Sequence, residues 1–412
     1  MSALVVFTQS FPFGEGESFF GAELPYLARE FDRVTLVPST RASGSSKTLP
    51  KGVSVDIGLA EARPLPTWPT ALLEASVWDV AELVRYSARA LIKGSRRFAR
   101  FVRAITRTER YFATRHDDLS TTLYYAYWFE GAATALGLMA RRDRRLRAVT
   151  RAHGWDLYEE RHDPRWFPFR RRALEGLAAV FPVSDHGARH LIDRYPEEAS
   201  RIQVARLGVE PIERELGAPG APSRAHGPFR VMSCSAVIPV KRVDRIAESL
   251  MLLATRHPAR GFEWAHFGDG PLLTEVRAAI SSAPVNLRTE LRGRVSNEVV
   301  RSHLSTSRVD VFMSASESEG VPVSIMEAQA AGVPVVAPDV GGISEIVRRD
   351  SGFLVPAPAR PEDLAERVAR LVGSAELSEA FAAGARRSWA ELSDVRVNAS
   401  AFVRSLAGLA RG

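Results

Sequence analysis

The stretch DVFMSASESEGVPVSIMEAQAAGVPVVAPD, residues 310–339, decides the fold of this chain. Its pattern predicts a buried strand at 310–315, a loop at 316–320, a helix at 322–331 and a second strand at 333–338. Pro322 suits the first helical turn, where no N–H donor is needed, and Gly332 suits the helix exit. A strand, a helix and another strand in succession indicate a parallel sheet covered by helices.

The same alternation extends outward in both directions from this stretch. In the C-terminal half, further strands are predicted at 229–235, 263–268 and 352–356, and further helices at 242–256, 271–281 and 361–372. In the N-terminal half, strands are predicted at 3–7, 33–39, 121–128, 148–154 and 178–184, with helices at 18–30 and 71–112 and a loop at 45–70. Both halves are therefore typical of doubly wound α/β domains.

A change of composition separates the two halves. Residues 211–228, PIERELGAPGAPSRAHGP, are rich in Pro, Gly and Ala and show no periodicity, which is typical of a linker. We therefore predict an α/β protein with Rossmann-like domains at 1–210 and 229–392. Their sheets are expected to face a cleft, because ligands bind beyond the carboxyl ends of parallel strands.

The overall composition is that of a soluble globular protein, with 45% hydrophobic and 25% charged residues among 412. A formal charge of +7 favours anionic partners, but no nucleic-acid-binding motif accompanies it. The only cysteine, Cys234, excludes an intramolecular disulfide and a cysteine-based zinc site, and favours a reducing cytoplasm. The N-terminus has no basic region before its apolar run, so we expect no signal peptide.

Two glutamates, Glu319 and Glu327, flank the start of the helix in the opening stretch. At ~1.5 Å rise per residue they lie on the order of 12 Å apart, farther than the about 5 to 9.5 Å of paired glycosidase carboxylates. The N–H groups of Gly320, Val321 and Val323 between them are suited to a phosphate. The two carboxylates would then contact opposite ends of a long ligand such as a nucleotide sugar. The alternative for Glu327 is a helix residue paired with an arginine.

The stretch 316–347 resembles the donor-site signature of retaining glycosyltransferases of family 4, which have the GT-B fold. That signature is an E-x7-E element beginning with EG-x-P, followed by A-x-G-x-P-V-V-A and GG-x-x-E. Other segments resemble the family in the same order: FTQSFPFGEGESFFGAELPYL, RAHGWDLYEER, VFPVSDHGARHL, VARLGVE, SAVIPVKRVD and HFGDGP. The resemblance runs from residue 7 to about 356. It also implies that a C-terminal helix, 393–412, crosses back onto the N-terminal domain.

The resemblance implies a role for each matching residue. Lys241 balances the charge of the diphosphate leaving group. His153 contacts the transferred sugar or its leaving group, Glu319 contacts the sugar near its reacting carbon, and Glu327 accepts hydrogen bonds from the ribose. One position departs from the pattern, because Ser235 stands where many relatives carry an arginine six residues before the lysine.

Other candidate residues carry alternatives. Arg242 either takes over the charge absent at Ser235, or the site works with one cation. Gly14 and Gly16 either let the backbone approach the diphosphate or acceptor, or form a plain flexible turn. Asp156 either orients a sugar hydroxyl or caps the next helix.

Residues 96–112, RRFARFVRAITRTERYF, form a basic amphipathic pattern. Phe98, Phe101, Val102 and Ile105 share one helical face, and arginines occupy much of the remainder. Such a helix can lie on an anionic membrane surface. Equally, it can pack its apolar face on its own domain and leave the arginines in water.

We therefore expect a retaining glycosyltransferase that moves a sugar from a GDP- or UDP-linked donor to a saccharide or lipid-linked acceptor. By resemblance, the product is a cell-surface polysaccharide or glycolipid. The N-terminal domain would bind the acceptor and the C-terminal domain the donor. No cofactor beyond the nucleotide sugar is expected, and no metal, because no cluster has metal-ligand spacing.

The expected location is the cytoplasm, or the inner face of the plasma membrane. A nucleotide-sugar epimerase and a non-catalytic donor- or membrane-binding partner are the alternatives.

Overall fold

The computed structural model of the chain describes residues 2–14, 17–41, 47–62, 88–115, 117–214 and 227–411. The chain forms two compact units. One consists of Met1–Arg206 and Ala399–Gly412, and the other of Leu207–Asn398. Of the predicted linker 211–228, residues 215–226 lie outside the described residues, and residues 211–214 have no regular structure.

The boundary between the units lies at Arg206, four residues before the predicted one. The physical reason is that the next residues bond to the second unit. The indole Nε1 of Trp389 donates to the carbonyl of Val209, and the hydroxyl of Ser305 donates to the carbonyl of Glu213. The C-terminal residues that join the first unit likewise begin at Ala399 rather than at residue 393.

The first unit contains a parallel sheet of six strands in the order β3-β2-β1-β4-β5-β6. The strands are β1 Ala3–Thr8, β2 Arg33–Pro38, β3 Val53–Val55, β4 Thr122–Ala126, β5 Arg147–Ala152 and β6 Ala179–Pro182. The helices are α1 Ser18–Glu30, α2 Gly58–Glu61, α3 Ala88–Ala113, α4 Gly131–Arg142, α5 Arg170–Gly176 and α6 Asp185–Arg194. The direction of strand order reverses between β1 and β4.

Both faces of this sheet are buried, which explains why its strands are almost continuously apolar. Alternate residues of β1 enter two different cores. Val5 and Phe7 pack with Leu136 on one face, whereas Leu4 and Val6 contribute to a core that also contains Phe402 from the end of the chain. The first sheet therefore depends on residues that are almost four hundred positions apart.

The second unit repeats the topology, with strand order β12-β11-β10-β7-β8-β9 and all pairs parallel. Its strands are β7 Phe229–Cys234, β8 Phe262–Phe267, β9 Leu287–Leu291, β10 Val311–Met313, β11 Val335–Pro338 and β12 Gly352–Val355. Its helices are α7 Val243–Arg256, α8 Leu273–Ile280, α9 Asn297–Thr306, α10 Val323–Ala330, α11 Ile343–Ile346, α12 Pro361–Gly373 and α13 Ala375–Leu392. Helix α14, Val395–Arg411, begins in the second unit and ends in the first.

The expected α/β architecture of two doubly wound units is confirmed, with local corrections. Strand β3 and helix α2 lie inside the predicted loop 45–70, because a short, half-buried edge strand pairs with β2. The predicted helix at 71–112 is described from Ala88 onward, and 71–87 lie outside the described residues. Helices α4, α5, α9, α11 and α13 and strand β9 were not predicted. Within the described ranges, no helix combines the length and the apolar character needed to cross a membrane.

Candidate active site

The candidate donor site lies at the reversal of strand order in the second unit, where β7 and β10 are neighbours. Ligands of doubly wound sheets bind at this point, beyond the carboxyl ends of the strands. Lys241 ends a short 3₁₀ turn after β7, and Glu319 lies in the loop after β10. The ammonium Nζ of Lys241 donates to Oε1 of Glu319 at 2.5 Å. The fold thus pairs two predicted site residues that are 78 positions apart in sequence.

Close backbone packing fixes the loop that carries Glu319. The N–H of Glu317 donates to the carbonyl of Val240, which joins this loop to the loop of Lys241. The N–H of Gly342 donates to the carbonyl of Gly320. At Gly341, with φ +54°, an added Cβ would lie 1.9 Å from the carbonyl oxygen of Glu319. Gly341 is therefore required by the approach of one loop to the backbone of another.

The GDG turn after β8 supports the other loop in the same way. A Cβ at Gly268 would lie 1.8 Å from the carbonyl oxygen of Ser235, and one at Gly270 would lie 2.4 Å from that of Val237. The N–H of Val237 donates to the carbonyl of Asp269. This turn therefore holds the start of the loop that leads to Lys241.

Glu327 is buried in helix α10, where the side chains of α9 surround its carboxylate. Its Oε1 accepts a hydrogen bond from Nδ2 of Asn297 at 2.8 Å, and the Nη1 of Arg301 lies 3.7 Å away. Burial raises the pKa of the Glu327 carboxyl, while Asn297 and Arg301 oppose the rise. Arg301 is thus the kind of arginine partner that the sequence analysis gave as the alternative for Glu327. Because α9 was not predicted, the sequence analysis missed Asn297 and Arg301.

The start of helix α10 differs slightly from the prediction. The helix begins at Val323, and Pro322 is the preceding residue, in an extended conformation. The Pro322 carbonyl accepts from the N–H groups of Ile325 and Met326. Gly320 and Val321 thus lie in the loop just before the helix. The first N–H groups of any α-helix lack intrahelical acceptors, so this end remains suited to an anion.

Arg242 has a positive φ of 47°, and two carboxylates hold its guanidinium. Its Nη2 lies 2.7 Å from Oδ2 of Asp244, and its Nη1 lies 2.8 Å from Oε1 of Glu317. The hydrogen bond to Asp244, assisted by Glu317, raises the pKa of Arg242 further. Arg242 is thus held by Asp244 and Glu317, which are not predicted site residues. Lys241, in contrast, pairs with Glu319, which is one.

Cys234 ends strand β7 in the same part of the second unit, and the sequence analysis gave it no role there. Burial, together with the charge of Glu327 and against that of Lys241, raises the pKa of its thiol to about 12. The thiol therefore lies within electrostatic range of two predicted site residues. A lone cysteine offers no spacing signal from which this position could have been read.

In the first unit, His153 follows strand β5 and lies in an aromatic environment. Its ring centroid is 4.5 Å from that of Trp128, 4.9 Å from Tyr127 and 6.0 Å from Phe19. Its Nδ1 faces Oδ2 of Asp156 at 3.5 Å. Its Nε2 is buried and has no hydrogen-bond partner among the described residues. Nε2 is thus available for a hydrogen bond with a further polar group.

Asp156 holds the backbone around His153. The carboxylate is fully buried and accepts from the N–H of His153 at 2.6 Å and from the N–H of Phe129 at 2.7 Å. Burial opposes ionisation of Asp156, but His153 and these hydrogen bonds prevail, and its pKa is lowered. The sequence offered two roles for Asp156, a sugar contact and a helix cap. The observed bonds join the loops after β4 and β5, and the sugar contact stays a prediction.

Glu17 organises the first loop and was not among the predicted site residues. Its carboxylate accepts from the backbone N–H groups of Gln9, Ser10 and Phe11, and from Nε1 of Trp128 at 2.7 Å. The same loop contains Gly14, with φ +72°, whereas the predicted residue Gly16 lies outside the described residues. Through Trp128, Glu17 therefore supports the aromatic wall beside His153.

Helix α3 packs its apolar face on its own unit. Phe98, Phe101 and Ile105 are buried, and the Phe98 ring lies 5.0 Å from that of Phe169. Arg107 donates to the carbonyl oxygens of several residues, which are Ser39, Leu59, Ala60 and Ala62. The packing follows the second of the two predicted alternatives for this helix. Its apolar face is therefore covered by protein and does not face a membrane.

The side chains of Glu159, Glu160 and His190 lie close enough to share a metal ion, with ligand atoms within 4.8 Å of one another. The sequence analysis expected no such cluster. The carboxylate of Glu159 already has two partners in the protein. Nε2 of His190 lies 2.9 Å from its Oε2, and Nε of Arg194 lies 3.0 Å from its Oε1. The arginine supplies the positive charge that a metal would bring.

Comparison with known families identifies the second unit. The family Glycosyl transferases group 1 matches residues 228–374, which contain all six strands of the second sheet. These residues form a glycosyltransferase group 1 domain. Lys241, Glu319 and Glu327 all lie within the group 1 domain.

Individual relatives are similar over part of their length. The chain is 30% identical over 165 residues to the amylovoran biosynthesis glycosyltransferase AmsK of Erwinia amylovora, covering 38% of this chain and 39% of that protein. It is 27% identical over 282 residues to the GDP-mannose-dependent alpha-(1-6)-phosphatidylinositol monomannoside mannosyltransferase of Mycobacterium tuberculosis, covering 64% and 70%. The chain spans less than two thirds of the length of several other curated relatives that it matches, 15% and 54% in two of them.

Solved structures extend the similarity of fold from the group 1 domain to the whole chain. The UDP complex of Anabaena HepE superposes with a TM-score of 0.68 at 17% sequence identity, covering 99% of this chain and 100% of that chain. A glycosyltransferase from Rickettsia africae gives a TM-score of 0.66 at 16% identity. The two parallel six-stranded sheets with interleaved helices are those of the GT-B fold.

Proposed function

We propose that the protein is a retaining glycosyltransferase of family 4. It transfers a sugar from a UDP- or GDP-linked donor to a saccharide or lipid-linked acceptor in the synthesis of a cell-surface polysaccharide or glycolipid. The observation that carries the proposal is the pairing of Lys241 with Glu319 at the strand reversal of the group 1 domain. The relatives support it, since one is named for amylovoran biosynthesis and another for GDP-mannose dependence, while the HepE structure contains UDP.

The donor diphosphate would lie over the start of helix α10. The N–H groups near Gly320, Val321 and Val323 and the positive end of the helix dipole favour an anion there. Lys241 would move from Glu319 to the diphosphate, because the leaving group gains negative charge as the glycosidic bond breaks. Glu319, released from the ion pair, would then contact the sugar near its reacting carbon.

Transfer would keep the anomeric configuration. The acceptor hydroxyl attacks from the face that the diphosphate leaves, and the diphosphate takes the proton. In this proposal the free Nε2 of His153 contacts the transferred sugar, held in place by Asp156 and the surrounding rings. Glu327 accepts hydrogen bonds from the ribose.

We further propose that no metal takes part and that the protein acts in the cytoplasm. Lys241 and the helix N–H groups supply the positive potential that a metal would otherwise provide. The assay is sugar transfer in the presence of EDTA, which should leave the rate unchanged. Loss of activity that Mg²⁺ or Mn²⁺ restores would contradict this charge balance.

The decisive experiment is a screen of UDP- and GDP-linked sugars for thermal stabilisation of the protein. A ligand present at a hundred times its dissociation constant adds about 2.7 kcal/mol to the free energy of unfolding. The binder is then incubated with and without acceptors, and the products are identified. An isomerised donor without any acceptor would indicate an epimerase, and binding without turnover would indicate a non-catalytic partner.

A further inference from the structure

The strand reversal of the first unit opens into a cavity of about 840 Å³. The carboxyl ends of three neighbouring strands line it: Thr8 ends β1 and Gln9 follows it, Ser39 and Thr40 follow β2, and Trp128 and Glu130 follow β4. In doubly wound sheets this is the place where ligands bind. The cavity is separate from the group 1 domain, because all its lining residues belong to the first unit.

Arginine side chains of helix α3 make this cavity basic. Arg100 and Arg103 line it and also line an adjoining cavity of about 540 Å³, together with Lys93, Arg96, Arg97 and Asp163. Lys93 pairs with Asp163. Arg100 and Arg103 are exposed, and neither has an ion-pair partner within the described part of the chain. Two guanidinium groups without an ion pair in the described residues therefore line the same space, whose wall also contains the carboxyls of Glu61 and Glu130.

The helix that presents these arginines is firmly anchored. Phe98 and Ile105 are buried on its opposite face, and Arg107 bonds to backbone carbonyls of the first unit. The backbone positions of Arg100 and Arg103 are consequently fixed beside the cavity.

Helix α4, Glu130 and Trp128 also contribute to the wall of the cavity. Helix α4 begins at Gly131 in this wall, so the positive end of its dipole lies at the cavity, and Glu130 makes no side-chain cap there. Burial raises the pKa of the Glu130 carboxyl, with Arg100 among the groups that oppose the rise. Trp128 supplies an apolar wall of the kind on which sugar rings pack.

We infer that this cavity binds a negatively charged group of the acceptor, a carboxylate or a phosphate, so that the substrate class is an anionic saccharide or diphosphate-linked glycan. The inference rests on the proposed function, since it assigns the first unit to the acceptor. A guanidinium fork binds either oxyanion through paired N–H donors. The concave wall and the covered apolar face of α3 favour a discrete group over a flat membrane surface.

The experiment measures binding to the full chain by calorimetry at low salt, with UDP or GDP, whichever stabilises the chain, present in saturating amount to occupy the donor site. The probes are D-glucuronate, inorganic diphosphate and, as the neutral control, D-glucose. The test variant is Arg100→Ala with Arg103→Ala, and the matched control is Arg110→Ala, an exposed arginine on the same helix that lines neither cavity.

At least one anion should bind ten times or more tightly than glucose, since a hydrogen bond to a charged group contributes about tenfold or more. The double variant should lose that advantage, Arg110→Ala should keep it, and added salt should reduce it. Preference for glucuronate indicates an acidic sugar, and preference for diphosphate indicates a diphosphate carrier.

Equal binding of glucose and both anions, or unchanged anion binding in the double variant, would overturn the inference. Arginine-dependent sedimentation with anionic vesicles, without binding of either small anion, would also overturn it in favour of a membrane surface. The proposed function is tested separately, because binding of UDP or GDP is assigned to the second unit. If either nucleotide stabilises the wild type and the double variant equally, the donor site is supported regardless of the result with the anions.

Discussion

At the scale of single residues, Lys241 and Glu319 depend on each other. Lys241 is the direct partner of the Glu319 carboxylate, which is largely buried. Removal of the lysine leaves that charge without compensation and takes a cation from the proposed diphosphate position.

We therefore expect Lys241→Ala to lower kcat by about 10²- to 10³-fold, by analogy with the loss of one donor at an oxyanion site. Arg242→Ala should be milder, because Asp244 and Glu317 already hold that guanidinium. Steady-state transfer assays of both variants decide the matter. Severe loss in Arg242→Ala together with a near-normal Lys241→Ala would reverse the assignment of the two cations.

Glu327 is expected to show opposite effects on stability and on donor binding. Its pKa is raised in the folded chain, so the protonated carboxyl favours folding below the unfolded pKa of about 4.3. That contribution is lost as pH rises through the folded pKa. The Gln side chain of the Glu327→Gln variant does not ionise. The free energy of unfolding of this variant, relative to that of the wild type, should therefore rise as pH increases from 4 to 7.

The same substitution should weaken donor binding about 10- to 100-fold, because hydrogen bonds to a charged acceptor are lost. The chemical step should change less, since the ribose does not alter during the reaction. Urea unfolding at several pH values and donor titrations supply the two measurements. A fall in kcat with an unchanged KM would contradict the ribose assignment.

At the scale of elements, the loop after β11 supports the loop of Glu319. A substitution in the loop after β11 should therefore affect the candidate donor site. Gly341→Ala combines a left-handed backbone with a Cβ 1.9 Å from the carbonyl oxygen of Glu319. Gly293 has a similar φ of +67° but open space around its Cβ position. Gly293→Ala thus isolates the backbone strain, about 1 kcal/mol.

We expect Gly341→Ala to lose several times more stability than Gly293→Ala, and to lose donor binding as well. Thermal unfolding with and without UDP would measure both effects. Equal behaviour of the two variants would mean that the loop of Glu319 tolerates displacement.

The elements that could be predicted from the sequence are those whose pattern reflects burial. Helix α1 was predicted with its observed limits, and β7, β8 and β12 to within one or two residues, because apolar runs and glycines mark them. Strand β9 has the sequence LRTEL and lies at the sheet edge, where half-exposed polar residues obscure the pattern. Helices α4 and α9 were missed as well.

The same limit applies to the candidate site. Lys241 and Glu319 follow from the ends of strands and from a family motif, but their partners depend on tertiary packing. Asn297 reaches Glu327 across 30 positions, and Glu17 reaches Trp128 across 111. Neither spacing is encoded in any local pattern, since such contacts exist only after the sheet has assembled.

At the scale of the whole molecule, the first unit depends on helix α14. Phe402 is buried there, with its ring 3.9 Å from the Arg151 guanidinium, 5.1 Å from Phe181 and 5.5 Å from Tyr125. Phe402→Ala should therefore cost about 3 to 5 kcal/mol. The control is Val397→Ala on the same helix, which is exposed and should cost less than about 0.5 kcal/mol.

Chemical denaturation of the two variants measures this difference. Tryptophan fluorescence of the full chain provides the signal. If Phe402→Ala is as stable as Val397→Ala, then the end of the chain contributes little to the first core.

The division of the first unit between the two ends of the chain has a consequence for its synthesis. When the ribosome has made residues 1–206, the core that needs Phe402 and Leu406 is still incomplete. The ribosome must add the whole second unit first, which at about 5 to 20 residues per second takes on the order of 10 to 40 s. During that interval a nascent sheet with an uncovered apolar face is exposed to the cell. The second unit, whose residues are contiguous, can fold completely before the first, although it is made later.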